Sequence, residues 1–258
     1  FSLTTIEKGR IIAVLNNLEN LDMGLNAWSY SRLTVFESCR HQADLKFVRK
    51  IPEPDRPLPP GKTEHANDRG TRVHEAAEKY VLGGIELIPE LESFKPELNA
   101  LRTLYAAGKV SLEGEWGYTI EWKPTPWMSA DVWTRIKLDA IVFLSKTKAV
   151  VIDYKTGKRW GNEIKHGEQM QLYQLAAFLR YPDLQEITVE LWYTDLNELV
   201  SLTYTRAQGM KFLASFTNRG KRMTECEDFP PNPNAFSCRF CPYKPVEKGG
   251  TGHCSVGV

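Results

Sequence analysis

An apolar run near the middle of the chain ends in an acidic and a basic residue. The run reads Val150-Val151-Ile152-Asp153-Tyr154-Lys155-Thr156-Gly157. Its β-branched residues predict a strand, and the alternation of side chains along a strand places Asp153 and Lys155 on one face and Tyr154 on the other. A carboxylate can hold a divalent cation through oxygen, while an ammonium group can orient a water or stabilise charge on a phosphate. Alone, this Asp-x-Lys pattern is common, and a surface ion pair is the simpler interpretation.

A second acid lies in the strand predicted before this one. Asp139 is the one acid in the otherwise apolar residues 138–142. Burial of an unpaired carboxylate is unfavourable, so Asp139 requires a partner such as a cation. The predicted hairpin places Asp139 beside Asp153, and neighbouring carboxylates repel each other unless they share a proton or a metal. The alternatives are that Asp139 caps a turn or pairs with Lys137.

Two predicted helices carry further polar residues. His74 follows Gly70 and shares a helix face with Glu78, four residues later. A helical histidine is more often structural than a ligand, but the adjacent glycine and the acids downstream favour ligation. Gln169 and Tyr173 stand one turn apart, and an amide and a phenol can donate to phosphate oxygens or stack on a base. By themselves, these two residues are typical of ordinary helix packing.

Hydrophobic periodicity predicts an α/β fold in which a sheet is flanked by helices. The predicted helices cover residues 5–21, a segment capped by Ser29 or Ser31, a segment between Gly70 and Gly83, and residues 96–107, 167–181 and 207–220. The predicted strands cover residues 115–122, 132–143, 149–154, 186–193 and 199–205. The proline-rich residues 52–61 predict a long loop.

Composition excludes few classes of function. The 258 residues carry a net charge of +1, so net charge favours neither presence nor absence of a nucleic-acid partner. No apolar run is long enough for a membrane-spanning helix, and no signal peptide is expected. Five cysteines, an odd count, argue against a disulfide framework and favour a reduced intracellular protein with thiol or metal roles.

Basic residues cluster locally in two places. Lys158 and Arg159 follow the Asp-x-Lys motif and could contact a DNA backbone. Trp160, next to them in a glycine-flanked loop, could stack on a base or anchor the loop. A second cluster, which could equally be a solvated helix face, consists of Arg206, Lys211, Arg219, Lys221 and Arg222.

The motifs taken together resemble those of the PD-(D/E)XK nuclease superfamily, and most closely its RecB-like branch of recombination nucleases, CRISPR adaptation nucleases and phage exonucleases. The resemblance extends over about residues 70–175 and is carried by His74, Asp139, Asp153-Tyr154-Lys155 and Gln169-x-x-x-Tyr173. Leu138 stands where the family name has proline. The resemblance implies a restriction-endonuclease-like core with a central mixed sheet, preceded by a helical N-terminal part and followed by a cysteine-rich tail.

The resemblance also implies the roles of the site residues. Mg²⁺ or Mn²⁺ would be held by His74, Asp139, Asp153 and the carbonyl of Tyr154. Lys155 would position the attacking water and act in catalysis with the two aspartates. Gln169 and Tyr173 would shape the active site or hold the DNA strand. None of the three glutamates before the hairpin is singled out as a further acid: Glu113, Glu115 and Glu121.

The implied activity is metal-dependent hydrolysis of DNA, as an exonuclease in recombination, repair or phage DNA processing. The exonuclease preference, a bacterial or phage origin and a cytoplasmic location come from the family branch alone. The alternatives are a structure-specific or single-strand endonuclease and an inactive DNA-binding scaffold of the same fold. A metal-stapled interaction module is a third alternative, and RNA stays open as a substrate.

The cysteines form a second candidate site. Cys238 and Cys241 form a CxxC motif, and Cys254 follows after twelve residues, which leaves a metal site one ligand short. His253 would complete a zinc site, whereas Cys39 would give four cysteines that can hold an iron–sulfur cluster. The resemblance favours a 4Fe-4S cluster, because iron–sulfur members of the branch place one cysteine before the core and three after it. Free thiols rank second and zinc third, and Cys226, in an acidic stretch, is not expected to take part.

These features divide the sequence into three regions. A helical N-terminal region with the proline-rich loop covers residues 1–67, the nuclease core covers residues 68–222, and the cysteine-rich tail covers residues 223–258 and packs on the N-terminal region.

Overall fold

The computed structural model describes residues 25–258. The helix predicted at residues 5–21 lies outside the described residues. This part of the chain divides into two compact units. The first comprises residues 56–220, and the second comprises residues 25–55 with 221–258.

A mixed six-stranded sheet forms the centre of the first unit. Its strands are β1 (Val110–Tyr118), β2 (Pro124–Thr125), β3 (Thr134–Phe143), β4 (Lys148–Lys155), β5 (Glu186–Tyr193) and β6 (Glu198–Thr205). The strand order is β2-β1-β3-β4-β5-β6. Strands β4 and β5 pair in parallel and the other neighbours pair antiparallel. The predicted α/β class with a central mixed sheet flanked by helices is confirmed.

The α-helices follow one another between and around these strands. In chain order they are α1 (Tyr30–Ser38), α2 (Arg40–Ala43), α3 (Ala66–Val81), α4 (Lys95–Ala106), α5 (Glu163–Arg180), α6 (Arg206–Gly209), α7 (Leu213–Thr224) and α8 (Ala235–Cys238). A π-helical turn covers Asp44–Val48, and 3-10 turns cover Pro89–Phe94, Met210–Phe212 and Val246–Lys248. Within residues 25–258, no helix is long and apolar enough to cross a membrane.

Helices cover both faces of the sheet in the first unit. Helices α3 and α4 bury an apolar stripe against one face, where Ile152 and Tyr154 of β4 belong to the same buried cluster. Alternation along β4 turns Asp153 and Lys155 to the opposite face, which α5 covers. Since β4 and β5 run parallel, a crossover is required between them, and α5 supplies it.

The strand ladders are interrupted beside Asp139. The last pair of the β3–β4 ladder is Ala140 with Ile152, so Asp139, the residue of β3 that precedes Ala140, has no ladder partner in β4. On the other side, the β1–β3 pairing skips Glu113, which lies opposite Asp139 and has a φ of 45°. The left-handed conformation of a non-glycine residue in mid-strand is uncommon. Asp139 therefore sits in a gap in both ladders, where its carboxylate can contact groups that a continuous sheet would occupy.

The second unit joins the segment before the core to the tail. Ser29 caps α1 by accepting from Arg32 N at 3.4 Å, in agreement with one of the two predicted caps. Tyr243 OH donates to Ile51 O at 2.9 Å, and Asn232 Nδ2 donates to Ser38 O at 3.0 Å. These contacts tie residues of the tail to residues near the N-terminal end of the described chain.

Several predicted boundaries are wrong. Strand β1 begins at Val110 and ends at Tyr118, and Trp122 lies in the turn that follows, with a φ of 61°. Helix α3 begins at Ala66, before Gly70, and α5 begins at Glu163, before Gly167. The helix predicted at residues 207–220 consists of α6, a 3-10 turn and α7.

Candidate active site at the end of the central strands

Lys155 is the centre of a chain of short polar contacts on the α5 side of the sheet. Its Nζ lies 2.5 Å from Asp153 Oδ2 and donates to Gln169 Oε1 at 2.6 Å. Gln169 in turn donates from Nε2 to Tyr173 OH at 2.6 Å. Tyr173 is buried, so its ring does not offer a stacking surface to a base. Tyr173 and Gln169 instead fix the position of the ammonium group.

Asp139 contacts both β4 and helix α3. Its Oδ2 accepts from the backbone N of Tyr154 at 2.7 Å, and its Oδ1 lies 3.0 Å from His74 Nδ1. The His74 ring packs edge-on against the Tyr154 ring, with 5.7 Å between centroids. Lys137, the alternative partner considered for Asp139, pairs with Glu113 instead. The predicted site residues on α3, β3, β4 and α5 are therefore brought together around the carboxyl end of β4.

Burial and charge shift the titration of this group. Burial raises the pKa of Asp153; the positive charge of Lys155 opposes this effect, and the negative charge of Asp139 adds to it. Burial lowers the pKa of His74, but its hydrogen bond to Asp139 and the charges of both aspartates outweigh burial and raise the pKa overall. Close carboxylates of this kind are stabilised by a cation.

The donor set fits a hard divalent metal. Two carboxylates, one imidazole and a backbone carbonyl offer the oxygen and nitrogen donors that suit Mg²⁺ or Mn²⁺. In residues 25–258, no three His, Cys, Asp or Glu side chains are arranged around a single point as metal ligands. His74 and Asp139 contact each other, and Asp153 contacts Lys155.

Sequence reasoning left Glu113 undistinguished from Glu115. Glu113 turns inward and pairs with Lys137, while Glu115 is exposed. Burial and the negative charge of Glu113 raise the pKa of Glu78 on α3. The signal that distinguishes Glu113 is its backbone conformation, which the residue type alone does not disclose.

His166 is a further residue that sequence reasoning missed. It lies on α5 one turn before Gln169, and its Nδ1 is 2.8 Å from Tyr193 OH. Tyr193 pairs with Lys155 across the β4–β5 ladder. Burial and the nearby positive charge of Lys155 lower the pKa of His166 to about 4, so the imidazole is neutral at physiological pH. No sequence motif indicates His166, because its contact with Tyr193 depends on how helix α5 crosses the sheet.

The loop after β4 is held by long-range ion pairs. Gly157 N donates to Asp195 Oδ2 at 2.8 Å. Arg69 donates two hydrogen bonds to the same carboxylate, at 2.9 and 2.6 Å. Arg159, predicted to bind DNA, pairs with Glu198 at 2.8 Å, and Lys158 is exposed.

Two of the five residues of the second basic cluster, Arg206 and Arg219, are used inside the fold. Arg206 donates to three backbone carbonyls, of Leu184, Phe178 and Tyr181, at 2.7 to 2.9 Å. Arg219 pairs with Glu168 at 2.9 Å. These two arginines stabilise the fold rather than offer charge to a DNA backbone.

Four of the five cysteines meet in the second unit. Cys39, Cys238, Cys241 and Cys254 line one pocket. Burial raises the pKa of Cys241, and the charges of the other three thiols add to this effect. Cys39 Sγ accepts from Asn232 N at 3.4 Å. Cys226 lies outside the pocket and donates to Asp228 O at 3.0 Å.

Comparison with known proteins identifies relatives at the level of family. The family model of the PD-(D/E)XK nuclease superfamily matches residues 27–246. No curated protein sequence is significantly similar to the chain.

Solved structures with similar folds are distant in sequence. SSO0001 is 13% identical, with a TM-score of 0.46 over 90% of this chain and 88% of that chain. A candidate exonuclease from Eubacterium rectale is 11% identical, with a TM-score of 0.43 over 91% of each chain. The alkaline exonuclease LHK-Exo from Laribacter hongkongensis is 16% identical, with a TM-score of 0.27 over 80% of this chain and 96% of that chain. Because these TM-scores are below 0.5, the solved structures carry no argument about the family. The family assignment depends on the match to the family model over residues 27–246.

Proposed function

The chain belongs to the PD-(D/E)XK nuclease superfamily, as its motifs predicted, and we propose that it is a Mg²⁺- or Mn²⁺-dependent DNA exonuclease. The observation that carries the proposal is the contact chain Asp153–Lys155–Gln169–Tyr173 beside the Asp139–His74 pair. A surface ion pair would not need two further side chains to fix its lysine, nor a buried aspartate.

His74, Asp139, Asp153 and the Tyr154 carbonyl would hold Mg²⁺ or Mn²⁺, which would lower the pKa of a bound water and polarise the scissile phosphate. The chain's own residues supply orientation and charge. Asp153 and Gln169 engage two of the three hydrogens of Lys155 Nζ and leave one for the attacking water or a phosphate oxygen. Tyr173, buried beneath Gln169, prevents this amide from rotating away. Lys155 thus faces the reacting phosphate with its position already fixed.

The exonuclease activity follows from the RecB-like pattern of motifs rather than from any single contact. Cleavage of end-labelled linear DNA and of covalently closed circles, with Mg²⁺, Mn²⁺ or EDTA, tests it. We expect metal-dependent loss of linear DNA with circles spared, and no cleavage by Asp153→Ala. Cutting of circles would make the protein an endonuclease. Absence of cleavage by folded wild-type protein in either metal would overturn the nuclease proposal in favour of a DNA-binding scaffold.

We further propose that the second unit holds a 4Fe-4S cluster on Cys39, Cys238, Cys241 and Cys254. The four thiols line one pocket, and four cysteine thiolates are the ligand set that a 4Fe-4S cluster takes. His253, the candidate zinc ligand, contacts Thr251 Oγ1 through Nδ1 at 2.7 Å.

Cys226 offers a matched control for the cluster. Iron and acid-labile sulfide are measured in protein purified without oxygen. We expect about four iron atoms per chain, retained by Cys226→Ser and lost by Cys241→Ser. Zinc in place of iron, or iron loss that is equal in the two variants, would contradict the cluster.

A further inference from the structure

We propose that Trp160 is a stacking platform for an unpaired nucleobase of the DNA strand that enters the site, next to the scissile phosphate. The inference rests on the proposed function, since it names part of the substrate of the same site. It concerns the loop between β4 and α5, defined here as the 156–162 loop, which the proposed mechanism does not use.

The ring of Trp160 is displayed rather than packed. Trp160 is 72% exposed, and Ile164 on the first turn of α5 is 83% exposed. A tryptophan that anchors a loop would bury its ring against the protein, because burial of a large aromatic side chain is its main stabilising contribution. Trp160 and Ile164 therefore bury little apolar surface in the fold. We interpret their exposure as a surface that a ligand covers.

The ring is nevertheless held in place. The guanidinium of Arg159 lies 5.4 Å from the Trp160 ring centroid and also 5.9 Å from the Tyr193 ring centroid. Glu198 fixes the same arginine at 2.8 Å. A cation over an aromatic ring contributes a favourable contact. Arg159 thus supports the ring of Trp160 while most of that ring remains open to solvent.

The loop that carries Trp160 is pinned at several points. Asp195 binds Gly157 N, as described above. Asn162 donates from Nδ2 to Lys158 O at 3.0 Å and from its backbone N to Arg159 O at 3.0 Å. Glu163 accepts from Gly161 N at 2.7 Å. A platform of fixed orientation loses little conformational entropy when a base stacks on it.

The platform is connected to the proposed active site through two side chains. Tyr193, which Arg159 covers, pairs with Lys155 in the β4–β5 ladder. Trp160 is therefore linked through Arg159 and Tyr193 to the residue that faces the scissile phosphate. Lys158, next to it, is exposed and positively charged. An aromatic face beside cations is the combination by which proteins bind single-stranded DNA without sequence preference, because every base has a π-face.

Binding of a single-stranded oligonucleotide that carries 2-aminopurine near one end tests the proposal. The experiment is done in EDTA, so that binding is measured without metal-dependent cleavage. Stacking on Trp160 is expected to quench the probe. Trp160→Ala should abolish this quenching and weaken binding about tenfold, while Trp160→Phe should retain most of both. An abasic site at the probe position should weaken wild-type binding by a similar factor and leave Trp160→Ala unaffected.

Trp127 provides the matched control. It too lies under an arginine, with Arg135 at 5.8 Å from its ring centroid, but it follows β2 at the edge of the sheet. Trp127→Ala should bind and quench like wild type. Quenching and affinity unchanged in Trp160→Ala, or reduced equally in both variants, would overturn the platform. If the wild type binds and quenches through Trp160 but does not cleave in Mg²⁺ or Mn²⁺, the platform stands and the nuclease proposal fails.

Discussion

Removal of the Lys155 charge gives a quantitative test of the site's electrostatics. Lys155 and Asp153 form a buried pair, with side chains 15% and 5% exposed. Loss of one partner of a buried pair typically costs 3–5 kcal/mol, because the remaining charge is left uncompensated. We expect Lys155→Met to lower the free energy of unfolding by about 3 kcal/mol at pH 8 in EDTA. The lower end applies because Lys155 keeps some contact with solvent.

The pH dependence of this loss has a definite sign. The pKa of Asp153 is raised in the folded protein, so its contribution to stability is most favourable below its unfolded pKa and is lost as pH rises through its folded pKa. Without Lys155 this pKa rises further. The cost of Lys155→Met should therefore be greatest at neutral and alkaline pH and should shrink towards pH 5, where a larger fraction of Asp153 is protonated.

Urea denaturation of three variants measures the effect. Lys137→Met is the matched control, since its pair with Glu113 is more exposed and should contribute about 1 kcal/mol or less. Asp153→Asn combined with Lys155→Met should recover most of the stability lost in Lys155→Met. A loss equal to that of Lys137→Met, or one that does not depend on pH between 5 and 8, would refute the reasoning.

Three further predictions concern other parts of the first unit. Tyr173→Phe removes the hydrogen bond that holds Gln169 and should lower the cleavage rate about fivefold with unchanged Mn²⁺ affinity; a wild-type rate would contradict the positioning role. His74 must be neutral to bind a metal and its pKa is raised, so Mn²⁺ affinity measured by calorimetry should fall as pH drops through that pKa, and His74→Ala should remove this dependence; a pH-independent wild-type affinity would contradict ligation. Gly209→Ala should destabilise the fold by about 2 kcal/mol in urea, because a Cβ there would lie 2.0 Å from Gln174 Oε1; unchanged stability would show that the helix can shift without cost.

Local pattern was sufficient to predict the central geometry. Alternation along a strand predicted that Asp153 and Lys155 share a face, and the hairpin predicted that Asp139 comes close to them. The helical period placed Gln169 and Tyr173 one turn apart on the same helix, where the structure has them in contact. These relations depend on strand and helix periods, which tertiary packing does not change. The roles assigned to these residues remain predictions.

Features that depend on the rest of the fold escaped sequence analysis. Asp195 lies in the turn between β5 and β6 and binds Arg69, which is distant in the chain. The conformation of Glu113 arises where the ladder beside Asp139 is interrupted. His166 reaches Tyr193 because α5 crosses the sheet between two parallel strands. No short-range pattern encodes such contacts.

Boundaries failed where residue type and conformation disagree. Gly70 and Gly167 look like places where a helix begins, but both lie inside helices that begin four residues earlier. Glycine disfavours a helix interior by only about 1 kcal/mol, which packing of α3 and α5 on the sheet outweighs. For the cysteines, by contrast, local spacing was informative. It left Cys39 and His253 as candidates for the fourth metal ligand, and Cys39 lines the same pocket as the other three cysteines.

The central claim is that Asp139 and its neighbours form a metal-dependent nuclease centre. The most direct test is the rate of DNA cleavage by wild type and Asp139→Asn as Mn²⁺ is increased from zero in EDTA. Asparagine keeps an oxygen that can accept from Tyr154 N, so the fold is expected to persist, as circular dichroism would verify. We predict wild-type cleavage that is absent in EDTA and rises with Mn²⁺, and no cleavage by folded Asp139→Asn. Cleavage that persists in EDTA, or wild-type rates in the variant, would contradict the account.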